Sequence, residues 1–236
     1  MGKRKNKGNH KSENYDIIIH VGLHKTGTTF LQKEIFSRMK NINYIYKGER
    51  DILTRELKED KINLISLERL SGNPYSIINK EDTRFRIAYR LWKMFPNAKI
   101  IIGAREKESW LKSLYKESVS AHGNDKKYKD WKQLINPSYL DIESYVSYLR
   151  KLFPEVYEFK FENFKKDSKR EIKKLCDFIG REVPNYKNKK HRKSLSKNKI
   201  EILRNLNKLF RSRQFHPERK IPRPWASLSI VKKKRK

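Results

Sequence analysis

Residues 17–29 read IIIHVGLHKTGTT, and the character of the chain changes twice within them. Ile17 to Val21 form a short apolar run rich in β-branched residues, which reads as a strand buried on both faces. Gly22 to Thr29 then supply two glycines, a lysine and three threonines, the chemistry of a tight turn. Behind the turn, Leu31, Ile35 and Met39 recur on one face of a helix. A strand that passes through such a turn into a helix aims several backbone N–H groups and a positive helix end at one point. That arrangement suits a phosphate-like anion.

Further apolar runs follow at Asn43 to Tyr46, Asn63 to Leu67, Lys99 to Gly103 and Val156 to Phe161. Helical patterns lie between them, with Ile87 and Leu91 sharing one face and Ile172, Leu175, Cys176 and Ile179 another. The βαβα order predicts an α/β fold, with a mostly parallel central sheet covered by helices on both faces. With 236 residues, one domain over 15–218 is expected, between basic tails at 1–14 and 219–236. From Ser118 to Asp141 the pattern lapses, with Gly123, Asn124 and Pro137 as breakers, and an irregular lid or acceptor-binding loop is expected there. A last helix carries Ile200, Leu203, Leu206 and Phe210 on one face. There is no internal repeat.

The formal charge is +31, and the tails do not account for it. Residues 1–13 carry +4 and residues 219–236 carry +8, which leaves +19 on the body. Such a field attracts polyanions, whether nucleic acid, anionic polysaccharide or a multiply charged nucleotide, while a coding bias towards Lys, Asn and Ile accounts for it equally well. The single cysteine, Cys176, excludes an internal disulfide and a cysteine-based metal cluster. No apolar segment stands behind the basic start and no run is long enough to span a membrane, so a cytoplasmic protein is expected.

The loop resembles a P-loop but departs from it. The ATP-type pattern places lysine after the second glycine, followed by a Ser/Thr ligand for Mg²⁺. Here Lys25 precedes Gly27. A lysine inside the turn suits a shorter anion, a 5′-phosphate bearing one transferable group, with no metal required.

GLHKTGTT is similar to the 5′-phosphosulfate loop of the sulfotransferases that use 3′-phosphoadenosine 5′-phosphosulfate (PAPS). The resemblance implies a P-loop NTPase-like sulfotransferase fold. It also implies that Lys25 neutralises the bridging oxygen and sulfuryl group while Thr26, Gly27, Thr28 and Thr29 hold the 5′-phosphate. The family pattern continues with an Arg at a strand end and a Ser two helical turns on, both serving the 3′-phosphate. Arg105 and Ser113, within REKESWLKSLY, stand at that interval. The segment VYEFKFENFKKDSKREIKKLCDFIG matches the family's late strand and helix, with Glu162 read as a solvated or capping residue. In KNKKHRKSLS, where the family closes a loop over the adenine and 3′-phosphate, Arg192 and Lys193 are the implied contacts, and Ser194 stands where the family has glycine. The similarity runs from about Ile17 to Phe210.

The family draws its general base from a strand-end His or Glu. Glu68, in ISLERLSG, is favoured here, a choice common among carbohydrate-modifying relatives; His24 and His122 are held in reserve, and His20 reads as a core histidine. Trp110, Tyr115, Tyr128 and Trp131, set among lysines, fit a saccharide acceptor, and an anionic one, better than a small phenol, although aromatic packing is their commoner use. The expectation is sulfuryl transfer from PAPS to a carbohydrate hydroxyl, leaving adenosine 3′,5′-bisphosphate. Two other readings stand beside it. A P-loop kinase or NTPase needs a lysine after Gly27 and an acidic Mg²⁺ ligand at a strand end. A non-catalytic nucleic-acid-binding protein follows from the charge alone, without a recognised nucleic-acid motif.

Overall fold

The computed structural model describes residues 15–46, 57–74, 82–188 and 195–209. The two expected tails, and Arg192, Lys193, Ser194 and Phe210, lie outside the described residues. Every expected apolar run is a strand: β1 Ile17–His20, β2 Ile42–Tyr46, β3 Ile62–Ser66, β4 Lys99–Ala104 and β5 Glu155–Lys160. All pairings are parallel, in the order β2-β3-β1-β4-β5. β1 is central, with Ile17 opposite Asn63 on β3 and Ile18 opposite Lys99 on β4. The chain therefore proceeds to one side of β1 and then to the other. The crevice beyond the carboxyl end of β1 lies at that change of direction, the customary ligand position in open α/β sheets.

The period-two alternation of side chains divides the isoleucines between two cores. Ile17, Ile19, Ile100 and Ile102 pack with Ala88 and Leu91 of helix α2 (Arg84–Met94) and Val146 and Leu149 of helix α5 (Ile142–Leu152). Ile18, Leu64 and Ile101 pack on the opposite face against Leu31, Ile35 and Phe36 and against Ile172, Leu175, Cys176 and Ile179 of α7 (Ser168–Ile179). Helices thus cover both faces, as continuous apolar strands require. The helical stretch after the loop is not uniform. It opens as α1 (Thr28–Phe30), widens into a π-turn at Leu31–Ile35 and tightens to a 3₁₀ turn at Phe36–Arg38.

The expected irregular region is ordered and largely helical. α3 (Lys107–His122) ends at Gly123, whose positive φ of 75° supplies the left-handed cap, and α4 (Tyr128–Gln133) and a 3₁₀ turn (Pro137–Leu140) follow. Trp110, Leu111, Leu114, Trp131, Ile135 and Tyr139 enclose a third apolar cluster with Leu23 of the loop. Trp110 and Trp131 are fully buried, so neither presents a stacking surface to a sugar. Ordinary aromatic packing accounts for both.

The last helix, α8 (Lys197–Leu209), seats a polar face. Buried Arg204 donates to the Asp125 carbonyl at 3.1 Å, and buried Asn207 donates to the carbonyls of Val119 and Asn124 at 2.8 and 3.0 Å. Val119 lies in the last turn of α3, whose carbonyls the helix itself leaves open, and Asn124 and Asp125 stand just beyond its cap.

His20 is fully buried at the end of β1. Its Nδ1 lies 2.7 Å from Ser66 Oγ, which accepts a hydrogen bond from Gln32 Nε2 at 3.0 Å, while Nε2 has no partner among the described residues. Burial pushes its pKa down to about 3, so the imidazole is neutral at neutral pH. In the unfolded chain the ordinary value is about 6.5, so below that pH the unfolded state binds the extra proton and the native state does not. Stability present at pH 7 is therefore lost as pH falls from about 6.5 towards 3. Urea unfolding of the wild type is expected to give about 2 kcal/mol less at pH 5 than at pH 7, from about 1.4 kcal/mol per pH unit. In His20→Gln this part of the pH dependence should disappear.

Candidate active site

Three backbone positions give the loop its shape. Gly22, Lys25 and Gly27 have φ of 53°, 67° and 94°, all in the left-handed region. The first and third are glycines, which adopt it without penalty, whereas a lysine does so at a cost that its surroundings must offset. One offset is visible in Arg105, whose Nη1 donates to the Lys25 carbonyl at 2.8 Å. The adjacent His24 carbonyl accepts from Trp110 Nε1 at 2.8 Å. Inside the turn, Thr26 Oγ1 donates to the Leu23 carbonyl at 2.6 Å, and Thr28 Oγ1 approaches the same oxygen at 3.5 Å. Thr26 and Thr28 are buried, so the Thr26 hydroxyl serves the loop's own architecture. What Thr26 to Thr29 can offer an anion is chiefly backbone N–H, since the first N–H groups of a helix have no intrahelical acceptor.

Close packing beneath the loop sets its height above the sheet. A Cβ on Gly103, near the end of β4, would lie 2.6 Å from both Thr26 Oγ1 and Phe159 Cζ. Phe161, just beyond β5, comes within 3.5 Å of a Cβ built on Gly27, and the Arg105 guanidinium sits 4.6 Å from the centre of the same ring. The arginine is half-buried; desolvation lowers its pKa, with Glu162 and Glu106 acting in the opposite direction. It remains a cation.

Arg105 also turns towards α3. Its Nε and Nη2 donate to Ser109 Oγ at 3.0 and 2.8 Å. Ser113 lies one turn further along the same face. The N-terminus of α3 is closed by its own cap, as the Glu106 carboxylate accepts from the N–H groups of Glu108 and Ser109 at 2.8 and 2.7 Å. Those bonds hold the Glu106 carboxyl below the ordinary carboxylate range. A second anion near this helix therefore meets Arg105 and the serine hydroxyls rather than free helix amides.

Glu68 opens a 3₁₀ turn, Glu68–Ser71, directly beyond β3. Ser71 Oγ donates to the Gly22 carbonyl at 2.6 Å, and Leu67 N–H to the His20 carbonyl at 3.3 Å, so this turn is fastened to the start of the loop. The carboxylate seen on the Lys25 ammonium is a different one. Lys25 Nζ lies 3.2 Å from Glu117 Oε1 on α3. His24 is half-buried in the loop, and His122 is the last residue of α3, nine positions beyond Ser113. Glu162 is exposed and accepts from the Glu106 N–H at 3.3 Å.

Lys25, Thr26 to Thr29, Arg105 and Ser113 are thus gathered at one edge of the sheet, with the turn of Glu68 beside them. A model of the sulfotransferase domain matches residues 15–220. This chain belongs to the sulfotransferase family. Seventeen solved chains match its structure. One is the crystal structure of a sulfotransferase from Alicyclobacillus acidocaldarius, at 17% identity and a TM-score of 0.52, covering 75% of this chain and 86% of that one. At that identity the likeness speaks for the fold. A search of curated proteins finds no match. The protein is accordingly a sulfuryl-transferring enzyme. Among the described residues no helix is long and apolar enough to cross a membrane.

Sequence reasoning missed Ser109, Glu117, Gly103 and Phe161. Ser109 had a visible signal, since it stands four residues from Arg105 and four from Ser113 on one helical face. Gly103→Ala should drive Thr26 or Phe159 out of place. It is expected to lower the urea-unfolding free energy by about 1–3 kcal/mol, as overpacked cores do, and to shift the amide resonances of Thr26 and Gly27.

Proposed function

We propose that this sulfotransferase moves the sulfuryl group of PAPS to a hydroxyl of a carbohydrate, releasing adenosine 3′,5′-bisphosphate. The observation that carries the donor is the joining of two anion-receptive places through Arg105. One of its N–H groups holds the Lys25 carbonyl and two others reach Ser109. A donor with phosphates at both the 5′ and 3′ positions matches two such places held in fixed relation. ATP has no 3′ anion for the second, and its triphosphate calls for a lysine beyond Gly27.

In this reading Lys25 and the loop N–H groups stabilise the charge that builds on the leaving 5′-phosphate, and Arg105 with Ser109 and Ser113 anchors the 3′-phosphate. Glu68 takes the proton of the acceptor hydroxyl as the new oxygen–sulfur bond forms and the bond from sulfur to the phosphate oxygen breaks. Rate enhancement comes from in-line positioning and electrostatics. Arg192 and Lys193 are proposed for the 3′-phosphate and adenine. Support comes from the resemblance of KNKKHRKSLS to the family's loop over the adenine and 3′-phosphate.

For the acceptor, a strand-end carboxylate in the place of the base supports a saccharide. Exposed Lys112, Lys127 and Lys129 on and beside α3 and α4 suit an anionic one. With one cysteine, the chain has no disulfide to form within itself, which fits a protein working in a reducing cytoplasm.

With radiolabelled PAPS and a panel of glycans, tyrosine peptides and phenols, transfer should be confined to glycans. Lys25→Ala is expected to lower transfer by at least about 10²-fold, the usual cost of losing a preorganised charge-stabilising group, and full activity in that variant would sink the assignment. Arg105→Ala should raise the Kd of adenosine 3′,5′-bisphosphate about tenfold to a hundredfold, in line with the loss of a hydrogen bond to a charged group. Glu68→Gln should reduce kcat by about 10²–10⁴ while the Kd of the bisphosphate stays put. A variant that keeps its kcat removes Glu68 from the role of base.

A further inference from the structure

Glu117 has no part in the chemistry described above, yet it lies at the centre of the site. Ser109, Ser113 and Glu117 follow one another at four-residue spacing and share a face of α3. The first accepts from Arg105 and the last is paired with Lys25, so this one face runs from the anchoring arginine to the loop lysine. Between Ser109 and Glu117 the helix rises about 12 Å. The side chains of Lys25 and Glu117 are only 21% and 17% exposed, which weakens solvent screening of the pair relative to a surface ion pair.

In the same chain the charge is +31, and a loop offering a lysine and several amides in such a field would collect any small oxyanion. The carboxylate of Glu117 presents two oxygens and a negative charge to the same ammonium. We propose that Glu117 is a resident counter-anion of Lys25, whose hold on the lysine every incoming anion must displace. The inference rests on the reading of Lys25 as a ligand of the donor's sulfated end. Exchange with Glu117 weakens all anions at the loop by a common factor. Inorganic sulfate or phosphate, held at the loop alone, has no second contact to offset that factor. A nucleotide held both at the loop and at Arg105 with Ser109 tolerates the same factor and stays bound. The ratio of the two affinities is unchanged by a common factor; what Glu117 sets is the concentration a one-site anion must reach before it occupies the loop.

The test uses calorimetric titration of the full-length protein with inorganic sulfate and, separately, with adenosine 3′,5′-bisphosphate. Glu117→Gln keeps the side-chain shape and removes the charge; it is expected to tighten sulfate binding about tenfold, and the bisphosphate by a similar factor, as befits a charge a few ångströms from the anion. The gain should vanish in Glu117→Gln combined with Lys25→Met. Sulfate affinity that is unchanged or weaker in a folded Glu117→Gln protein overturns the proposal. Should that variant fail to fold, Glu117→Asp decides: withdrawing the carboxylate by one methylene should still tighten sulfate, and an unchanged value overturns the idea. If the wild type fails to bind the bisphosphate while sulfate still tightens in Glu117→Gln, the two-phosphate donor is wrong and the counter-anion role of Glu117 stands.

Discussion

The guanidinium of Arg105 ties the loop Gly22 to Thr29 to helix α3. A non-glycine residue in the left-handed region is uphill in energy, and Lys25 is held there with its carbonyl on Arg105 Nη1. The remaining N–H groups of the fork reach Ser109, and Phe161 lies against the cation. A lysine could not reproduce this, because one ammonium cannot serve two acceptors on separate elements in a planar fork. The position of the loop against α3 is therefore set by Arg105 at the end of β4, with Trp110 and Glu117 of the helix holding the same loop.

Around that constraint the scaffold is conventional in its physics. Strands apolar on both faces demand helices above and below, and two separate cores form because neighbouring isoleucines of β1 point in opposite directions. Glycine is needed at Gly103 because the loop packs directly onto the sheet there. The neutral, buried His20 and its hydrogen bond with Ser66 join the end of β1 to β3 without introducing a charge beneath the loop.

Much of this was legible in the residues. Five apolar runs located all five strands to within a residue at either end, because buried parallel strands are short, continuous and β-branched. The segment after Ser118 was misread for a physical reason. Gly123 and Pro137 do break the chain, but they end and begin helices rather than dissolve them. The helix between them, α4, is short and its burial is carried by Trp131, so periodicity is faint while packing is dense. Long-range polar partnerships were harder still. Nothing in the spacing of Lys25 and Glu117 announces an ion pair across ninety-two positions, and the Arg204 and Asn207 face of α8 reads as solvent-facing until its acceptors on the α3 side are known. Local pattern records which face of an element is apolar; it does not record which distant carbonyl a polar side chain will meet.

Those α8 contacts bear on the order in which the molecule becomes complete during synthesis. Asn207 closes the carbonyls of Val119 and Asn124, residues that precede it by more than eighty positions. A nascent chain released only as far as α7 has its sheet strands and its anion loop, but the end of α3 still has acceptors waiting for a donor that has not yet been made. The helix that carries Ser109, Ser113 and Glu117 gains these bonds only when α8 emerges. Assembly of the sheet and anchoring of the far end of α3 are thereby separated in time along the chain.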